Sequence, residues 1–486
     1  MQQSRIVDLS RLTSERVILQ KHAQDAREFS TEVPTIRGTR TYPNEVGEEK
    51  LGLFRPVTAR KAVIADMDML HNFEQKSLKI PSFLEAGPRA ELRHNPHSVR
   101  AAIVTTGGLA PGLHCVIHSI VKRHNTYSLT REQGKVLGVY DSFRGLCNFA
   151  YSHVELDSAT TEAWLDEGGS KLGVVRYFHG NKKDKAAITE MVNEISRNLE
   201  NNHINILYVI GGDGSLRIAH KLAEANPERS IVGIPKTMDN DVLWVWQSFG
   251  FDTAVEQATR VINTLRTEAE AARRICLIEL FGADSGFVAA NASLASGHVD
   301  LVLIPEVFKL LSEGRALAYL DECVSHIRDI VQQEPHNPHA VVVVAEGVGA
   351  ALEQKGVRLG KTIVQKDTFM SQFTNLLKNR IVDAHHREVP VFLVQPRYLI
   401  RAVPANPHDQ IYCERLGALA VDNALAGYTD FMISRWLTEF VLVPMHLAES
   451  GKKSIPVNGM FWKQVVSSTR QPLSPAEYPS AETAIM

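Results

Sequence analysis

From residue 98 onward, short runs of consecutive apolar residues recur, each ending in glycine or polar residues. They fall at 101–108 (AAIVTTGG), 136–142, 204–214 (INILYVIGGDG), 230–237, 275–282, 300–306, 340–347, 389–395 and 440–445. Unbroken apolar runs suit strands buried on both faces, which predicts mainly parallel sheet. Helical periodicity separates them. Within 184–200, Ile188, Met191, Val192, Ile195 and Leu199 form one stripe, and 254–272 and 411–425 read alike. The alternation predicts an α/β protein of two doubly wound, mainly parallel-sheet domains. Residues 1–97 lack this rhythm and read as an N-terminal extension with helical pieces near 14–28 and 65–75. The expected divisions are 1–97, 98–240 completed by 410–446, 241–409, and a C-terminal segment 447–486.

Composition narrows the class. The 486 residues carry 53 Lys+Arg and 55 Asp+Glu, a net charge of −2, so no global attraction to nucleic acid or anionic membrane is expected. Five scattered cysteines without a CxxC pair argue against a disulfide framework or a cysteine-built zinc site. No apolar run approaches the ~20 residues that span a bilayer, and Asp8 and Glu15 interrupt the first twenty residues. A cytoplasmic protein is expected.

Doubly wound sheets bind ligands beyond the carboxyl ends of their strands. Three loops there carry chemistry. Gly107 and Gly108 let backbone N–H groups approach a phosphate, and Pro111 can set a first helical turn. In the second loop Gly212, Asp213, Gly214 and Ser215 combine a second glycine cradle with a carboxylate suited to Mg²⁺. The third, Pro235 to Asp241, holds Lys236, Thr237, Asp239 and Asp241. Alternation along an extended chain would point both carboxylates at one site, one to take a proton and the other to reach a metal. Tight turns and solvated acidic loops are the bland alternatives. No GxxxxGK[ST], HRD…DFG or HExxH motif occurs. His94, His97, His385 and His386 read as ordinary surface residues.

Together, GGLAPGLH, LGVVR, GGDGS, PKTMDND, SFGFDTAVE, FGADSGFVAA, AEG and YLIRA stand in an order and spacing that resemble the 6-phosphofructokinase family over about residues 95–465. With its long N-terminal extension, the chain looks most similar to the trypanosomatid and plant-like ATP-dependent branch. The resemblance implies phosphorylation of fructose 6-phosphate by ATP with Mg²⁺. Residues 98–240 would bind nucleotide and 241–409 the sugar phosphate. It implies Asp239 as the base, Thr237 against the transferring phosphoryl group, and Asp213 and Asp241 near the metal. Gly107, Gly108, Arg176, Gly212, Gly214 and Ser215 would hold nucleotide phosphates. Glu346, Tyr398 and Arg401 would hold the sugar phosphate together with Phe281 and Gly282. Arg274 would reach the sugar phosphate of a neighbouring subunit, so a homo-oligomer, dimer or tetramer, is implied.

Some positions depart from that pattern. Ala283 stands where the family carries an arginine that stabilises charge, and Phe392 where a basic residue is expected. LGVVR replaces LGSSR or LGSAR, and His114 replaces asparagine. Gly214 leaves room for ATP, whereas pyrophosphate-using relatives carry Asp there. Lys236 matches the pyrophosphate enzymes but also the trypanosomatid and plant ATP enzymes, and it can supply positive charge. Two rivals stay open: pyrophosphate as donor or another sugar phosphate as acceptor, and a weakly catalytic regulatory subunit.

Overall fold

The computed structural model describes residues 13–25, 29–37, 41–44, 59–63, 66–127, 135–175, 185–360 and 362–474. The strands of the two main sheets, in chain order, are β1 (Arg60–Ala62), β2 (Ser82–Glu85), β3 (Arg100–Thr105), β4 (Lys135–Val139), β5 (His153–Glu155), β6 (Ile206–Gly211), β7 (Ser230–Pro235), β8 (Ile275–Leu280), β9 (Leu301–Leu303), β10 (Ala340–Ala345), β11 (Val391–Val394), β12 (Phe431–Trp436) and β13 (Glu439–Pro444).

The larger sheet runs β1-β2-β13-β12-β7-β6-β3-β4-β5. Its centre, β12, β7, β6, β3 and β4, is parallel. One edge is closed by antiparallel β5 and the other by antiparallel β13, β2 and β1. The apolar runs explain the centre. Ala101 and Ile103 of β3 and Ile206, Tyr208 and Ile210 of β6 enter one core, while Ala102, Val104, Leu207 and Val209 enter the other. Both faces are therefore dry. Helices Leu113–Tyr127 and Pro407–Leu425 cover the first face, and Lys185–Asn201 and Asp213–Ala225 the second. The expected stripe of Met191, Val192, Ile195 and Leu199 is buried there.

The smaller sheet, β9-β10-β8-β11, is wholly parallel. Its strands share the first core with β3 and β6. The run at 440–445 is not parallel as its apolar pattern suggested. It is β13, which pairs antiparallel with β12 over the ladder Phe431↔Pro444 to Trp436↔Glu439. The chain reverses within a tight turn, and such a connection can only make an antiparallel pair.

Much of the N-terminal extension packs on its own chain. Helix Ser14–Gln24 buries Leu19 and Ala23, and the Glu15 carboxylate accepts the Trp244 N–H at 3.3 Å. Phe29 and Phe83 pack against Trp244, with ring centroids 5.2 and 6.0 Å away. His94 is not a surface residue. It is buried against the Ser230 hydroxyl at 3.0 Å, and burial lowers its pKa to about 4. The C-terminal segment ties the chain's end to the smaller sheet: Gln471 accepts the Val302 N–H at 2.8 Å and donates to its carbonyl at 3.1 Å.

Candidate active site

Strand register brings the loops together. Thr105 pairs with Ile210, and Gly211 with Pro235, so β3, β6 and β7 end level and their loops emerge at one edge. The chain runs from β3 outward to β4, then returns to β6 on the other side of β3. Such a reversal of strand order opens a crevice between the loops. In the smaller sheet Leu280 pairs with Ala345, placing Phe281 and Glu346 side by side.

Gly107 adopts φ +87°, the left-handed region that glycine enters without penalty. A Cβ there would stand 3.5 Å from the Lys236 ammonium, which donates to the Gly108 carbonyl. Gly112 (φ +94°) turns the chain into helix Leu113–Tyr127, so Pro111 precedes the helix rather than opening it. The Ser215 hydroxyl donates to Thr106 Oγ1 at 3.3 Å, joining the first loop to the second. Gly212 caps helix Asp213–Ala225. A Cβ at Gly214 would meet nothing within 4 Å.

The second and third loops join through the Lys236 N–H, which donates to the Gly211 carbonyl at 2.8 Å. Residues 237–241 are a turn, not the extended stretch expected, and Asn240 has φ +54°. Asp239 and Asp241 still act on one another. The Thr237 hydroxyl donates to Asp241 Oδ1 at 3.0 Å and accepts the Asp239 N–H at 3.1 Å. Burial raises the Asp239 pKa to about 7, the charges of Asp241 and Glu346 add to the rise, and Lys236 and Lys452 oppose it. Asp239 is thus poised near neutrality, as proton abstraction demands. Burial likewise raises Asp213, against the pull of Arg217 at 3.1 Å and of Lys452.

The smaller sheet faces the same point. The Ser285 hydroxyl donates to the Asp239 carbonyl at 2.8 Å. Gly282 makes the turn behind it: a Cβ there would lie 2.2 Å from the Ser285 carbonyl. The Arg401 guanidinium lies 4.7 Å from the Phe281 ring centroid and 4.8 Å from that of Tyr398. Its buried Nε has no hydrogen-bond partner among the described residues, a donor set that fits an anionic group.

Arg274 is not in this cluster. It precedes β8, whereas Phe281 follows it, and six strand residues span about 20 Å. At that far end Arg274 lies 3.5 Å from Glu268 and stacks over Phe392 at 5.9 Å. Arg176 lies outside the described residues. Ala283 sits in the turn with φ +45° and brings no charge.

Sequence reasoning missed Lys452. Its ammonium lies 3.3 Å from Asp241 Oδ2 and 2.9 Å from Asp284 Oδ2. Two adjacent lysines after a strand read as a solvated pair, and only the fold returns them to a loop two hundred residues earlier. The neighbouring Lys453 donates from its backbone to the Asp241 carbonyl at 3.0 Å and from its side chain to the Val245 carbonyl at 2.8 Å.

Asp213 and Asp241 are close enough for the charge of one to raise the pKa of the other, and carboxylate oxygens are the donors a hard divalent cation takes. No three or more clustered His, Cys, Asp or Glu among the described residues suit a metal ion. Mg²⁺ keeps water and substrate phosphate oxygens as ligands, so it asks for only one or two protein carboxylates. No helix among the described residues is long and apolar enough to cross a membrane.

Comparison with known proteins agrees with this arrangement. Residues 100–424 match the family model described as phosphofructokinase. The ATP-dependent 6-phosphofructokinase of Borreliella burgdorferi is 36% identical over 405 residues, covering 80% of this chain and 85% of that protein. ATP-dependent 6-phosphofructokinase 7 of Arabidopsis thaliana is 33% identical, covering 80% and 77%. The crystal structure of a pyrophosphate-dependent phosphofructokinase from Marinobacter aquaeolei superposes with a TM-score of 0.59 over 77% of this chain and 92% of that one, which at 17% identity shows a shared fold. On the strength of the family match and these identities, the chain belongs to the phosphofructokinase family.

Proposed function

We propose that the chain transfers the γ-phosphoryl group of ATP to the 1-hydroxyl of fructose 6-phosphate, giving fructose 1,6-bisphosphate and ADP in glycolysis. One observation carries the reading. Asp239, with a pKa near neutrality, is bonded into a turn that also holds Thr237 and Asp241, beside two glycine loops able to cradle a polyphosphate. Relatives of this chain named ATP-dependent 6-phosphofructokinase support both donor and acceptor.

In this reading the Gly107–Gly108 and Gly212–Ser215 loops hold the nucleotide phosphates through backbone N–H groups. The open space at Gly214 admits the nucleotide beyond its terminal phosphates. Arg176 completes the nucleotide contacts. Glu346, Tyr398 and Arg401, with Phe281 and Gly282, hold the sugar phosphate, and Arg401 faces its anionic group. Asp239 accepts the proton of the 1-hydroxyl as that oxygen attacks phosphorus in line. Thr237 orients the transferring group and Lys236 offsets its charge. Asp213 and Asp241 would hold Mg²⁺, which when bound neutralises charge on the β- and γ-phosphates.

We further propose a cytoplasmic homo-oligomer, dimer or tetramer, in which Arg274 serves a neighbouring subunit's sugar phosphate. Its place at the far end of β8 supports that role rather than one in its own site. The nucleotide domain is taken as 98–240 completed by 410–446, and the sugar domain as 241–409. A coupled assay of the purified protein with Mg²⁺ and fructose 6-phosphate, offering ATP or pyrophosphate, tests the activity. Turnover with ATP supports it. Turnover with pyrophosphate alone, or with neither donor, overturns it.

A further inference from the structure

Lys452 lies outside every loop assigned so far, yet it stands where three of them converge. Its ammonium bridges Asp241 of the third loop at 3.3 Å and Asp284 of the turn after β8 at 2.9 Å. Its charge also acts on Asp213 of the second loop and on Asp239, opposing the rise that burial gives both pKa values. It touches two of these carboxylates and is coupled by charge to the other two.

The other cations nearby are less well placed. Lys236, already given a share in offsetting the transferring group's charge, is buried and reaches the site from the first loop, where it donates to the Gly108 carbonyl. Arg217 is held by Asp213, and Lys309 by the Asp284 carbonyl at 2.7 Å. Lys453 is half-buried and donates to the carbonyls of Val245 and Trp246 and to the side chain of Asn240. The Lys452 side chain keeps 40% of its surface open. It therefore joins a fixed anchor to an accessible charge. Its backbone is fixed as well, since the Lys453 N–H is bound to the Asp241 carbonyl and the Ser454 N–H to Ser14 Oγ at 3.1 Å. The segment leaving β13 of the larger sheet thus brings this lysine to the turn of Asp239 and Asp241 before the chain reaches the smaller sheet.

We propose that Lys452 is a catalytic residue of this site, its ammonium lying against the transferring phosphoryl group and offsetting the charge that develops on its oxygens. The inference rests on the kinase reading above and deepens it. Lys452 neither gives nor takes a proton. The bond from phosphorus to the ADP oxygen breaks, the bond to the sugar oxygen forms, and the hydroxyl proton goes to Asp239.

The experiment compares wild type, Lys452→Met and Lys452→Arg by steady-state kinetics with ATP and fructose 6-phosphate, together with thermal melting. Removing a charge donor that acts in the transition state costs on the order of 10²–10³ in rate. Lys452→Met should lose about that factor in kcat while the KM for ATP moves less than about threefold, and Lys452→Arg should recover to within about tenfold of wild type. Active wild type with unchanged kcat in Lys452→Met overturns this inference alone. So does a parallel loss of melting temperature and substrate affinity that arginine does not restore, which would mark a purely structural ion pair. Wild type inactive with fructose 6-phosphate overturns the kinase reading and this inference together.

Discussion

Asp239 must be ionised to accept a proton, so its raised pKa makes the pH dependence of the reaction a direct readout. With a pKa of about 7, roughly one-eleventh of the free enzyme carries the carboxylate at pH 6 and roughly ten-elevenths at pH 8. The value of kcat/KM should therefore rise about tenfold between those limits and fall tenfold per unit further into acid. The sugar phosphate has its own second ionisation near pH 6, so the limb must be assigned. Glu346 adds its charge to the Asp239 rise. Glu346→Gln should move the enzyme's limb to lower pH and leave the substrate's in place. Asp239→Asn should abolish the enzyme's limb, with turnover down by about 10³ or more, since a positioned base contributes about 10²–10⁴. The assay is initial-rate kinetics from pH 5.5 to 9 at constant ionic strength, with saturating ATP and Mg²⁺. A flat profile between pH 6 and 8, or near-wild-type turnover in Asp239→Asn, would refute the assignment.

The same carboxyl group predicts a stability effect. A folded pKa of about 7 against 3.8 makes the folded state bind the proton more tightly, so its contribution to stability falls as pH rises from about 4 to about 7. Asp239→Asn should accordingly gain on the order of 4 kcal/mol at pH 8 and little at pH 4, read from denaturant midpoints. An equal gain at both pH values would sever the link to ionisation. Gly214→Asp should fold and melt like wild type, because the added side chain starts in open space. Its KM for ATP should rise at least about tenfold through charge repulsion with nucleotide phosphate, and an unaltered KM would place the nucleotide elsewhere. Arg123 clamps buried Asp422 with bonds of 2.7 and 2.9 Å. Arg123→Met removes the ion partner of that carboxylate, leaving it the Tyr127 hydroxyl at 3.0 Å and the charge of Arg89, and should cost about 3 kcal/mol in chemical denaturation; a change under about 1 kcal/mol would contradict the buried-pair argument.

What could be read from the chain follows its local physics. Ala101–Val104 and Ile206–Ile210 are unbroken apolar runs because both faces of those strands are buried, so the parallel centre was visible. The edge strands were not: β1 is Arg-Lys-Ala and β5 is His-Val-Glu, and short half-exposed strands look like loops. Strand order comes from long-range pairing, such as Phe431 with Val232, that leaves no local mark. At the site, glycines and clustered carboxylates announced the three loops, and the ends of β3, β6 and β7 do converge. The bend at Asn240 was hidden, since an asparagine with positive φ has no sequence pattern of its own. Lys452 was hidden for a different reason. Its significance lies in Asp241 and Asp284, which meet it only after both sheets have formed.

The most direct measurement is a crystal structure with ADP, Mg²⁺ and fructose 1,6-bisphosphate bound. The account predicts the sugar O1 within about 2.6–3.2 Å of an Asp239 carboxylate oxygen, or one water away, with the nucleotide phosphates along Gly107–Gly108 and Gly212–Ser215. A sugar bound elsewhere, with Asp239 facing neither O1 nor its phosphate, would contradict it.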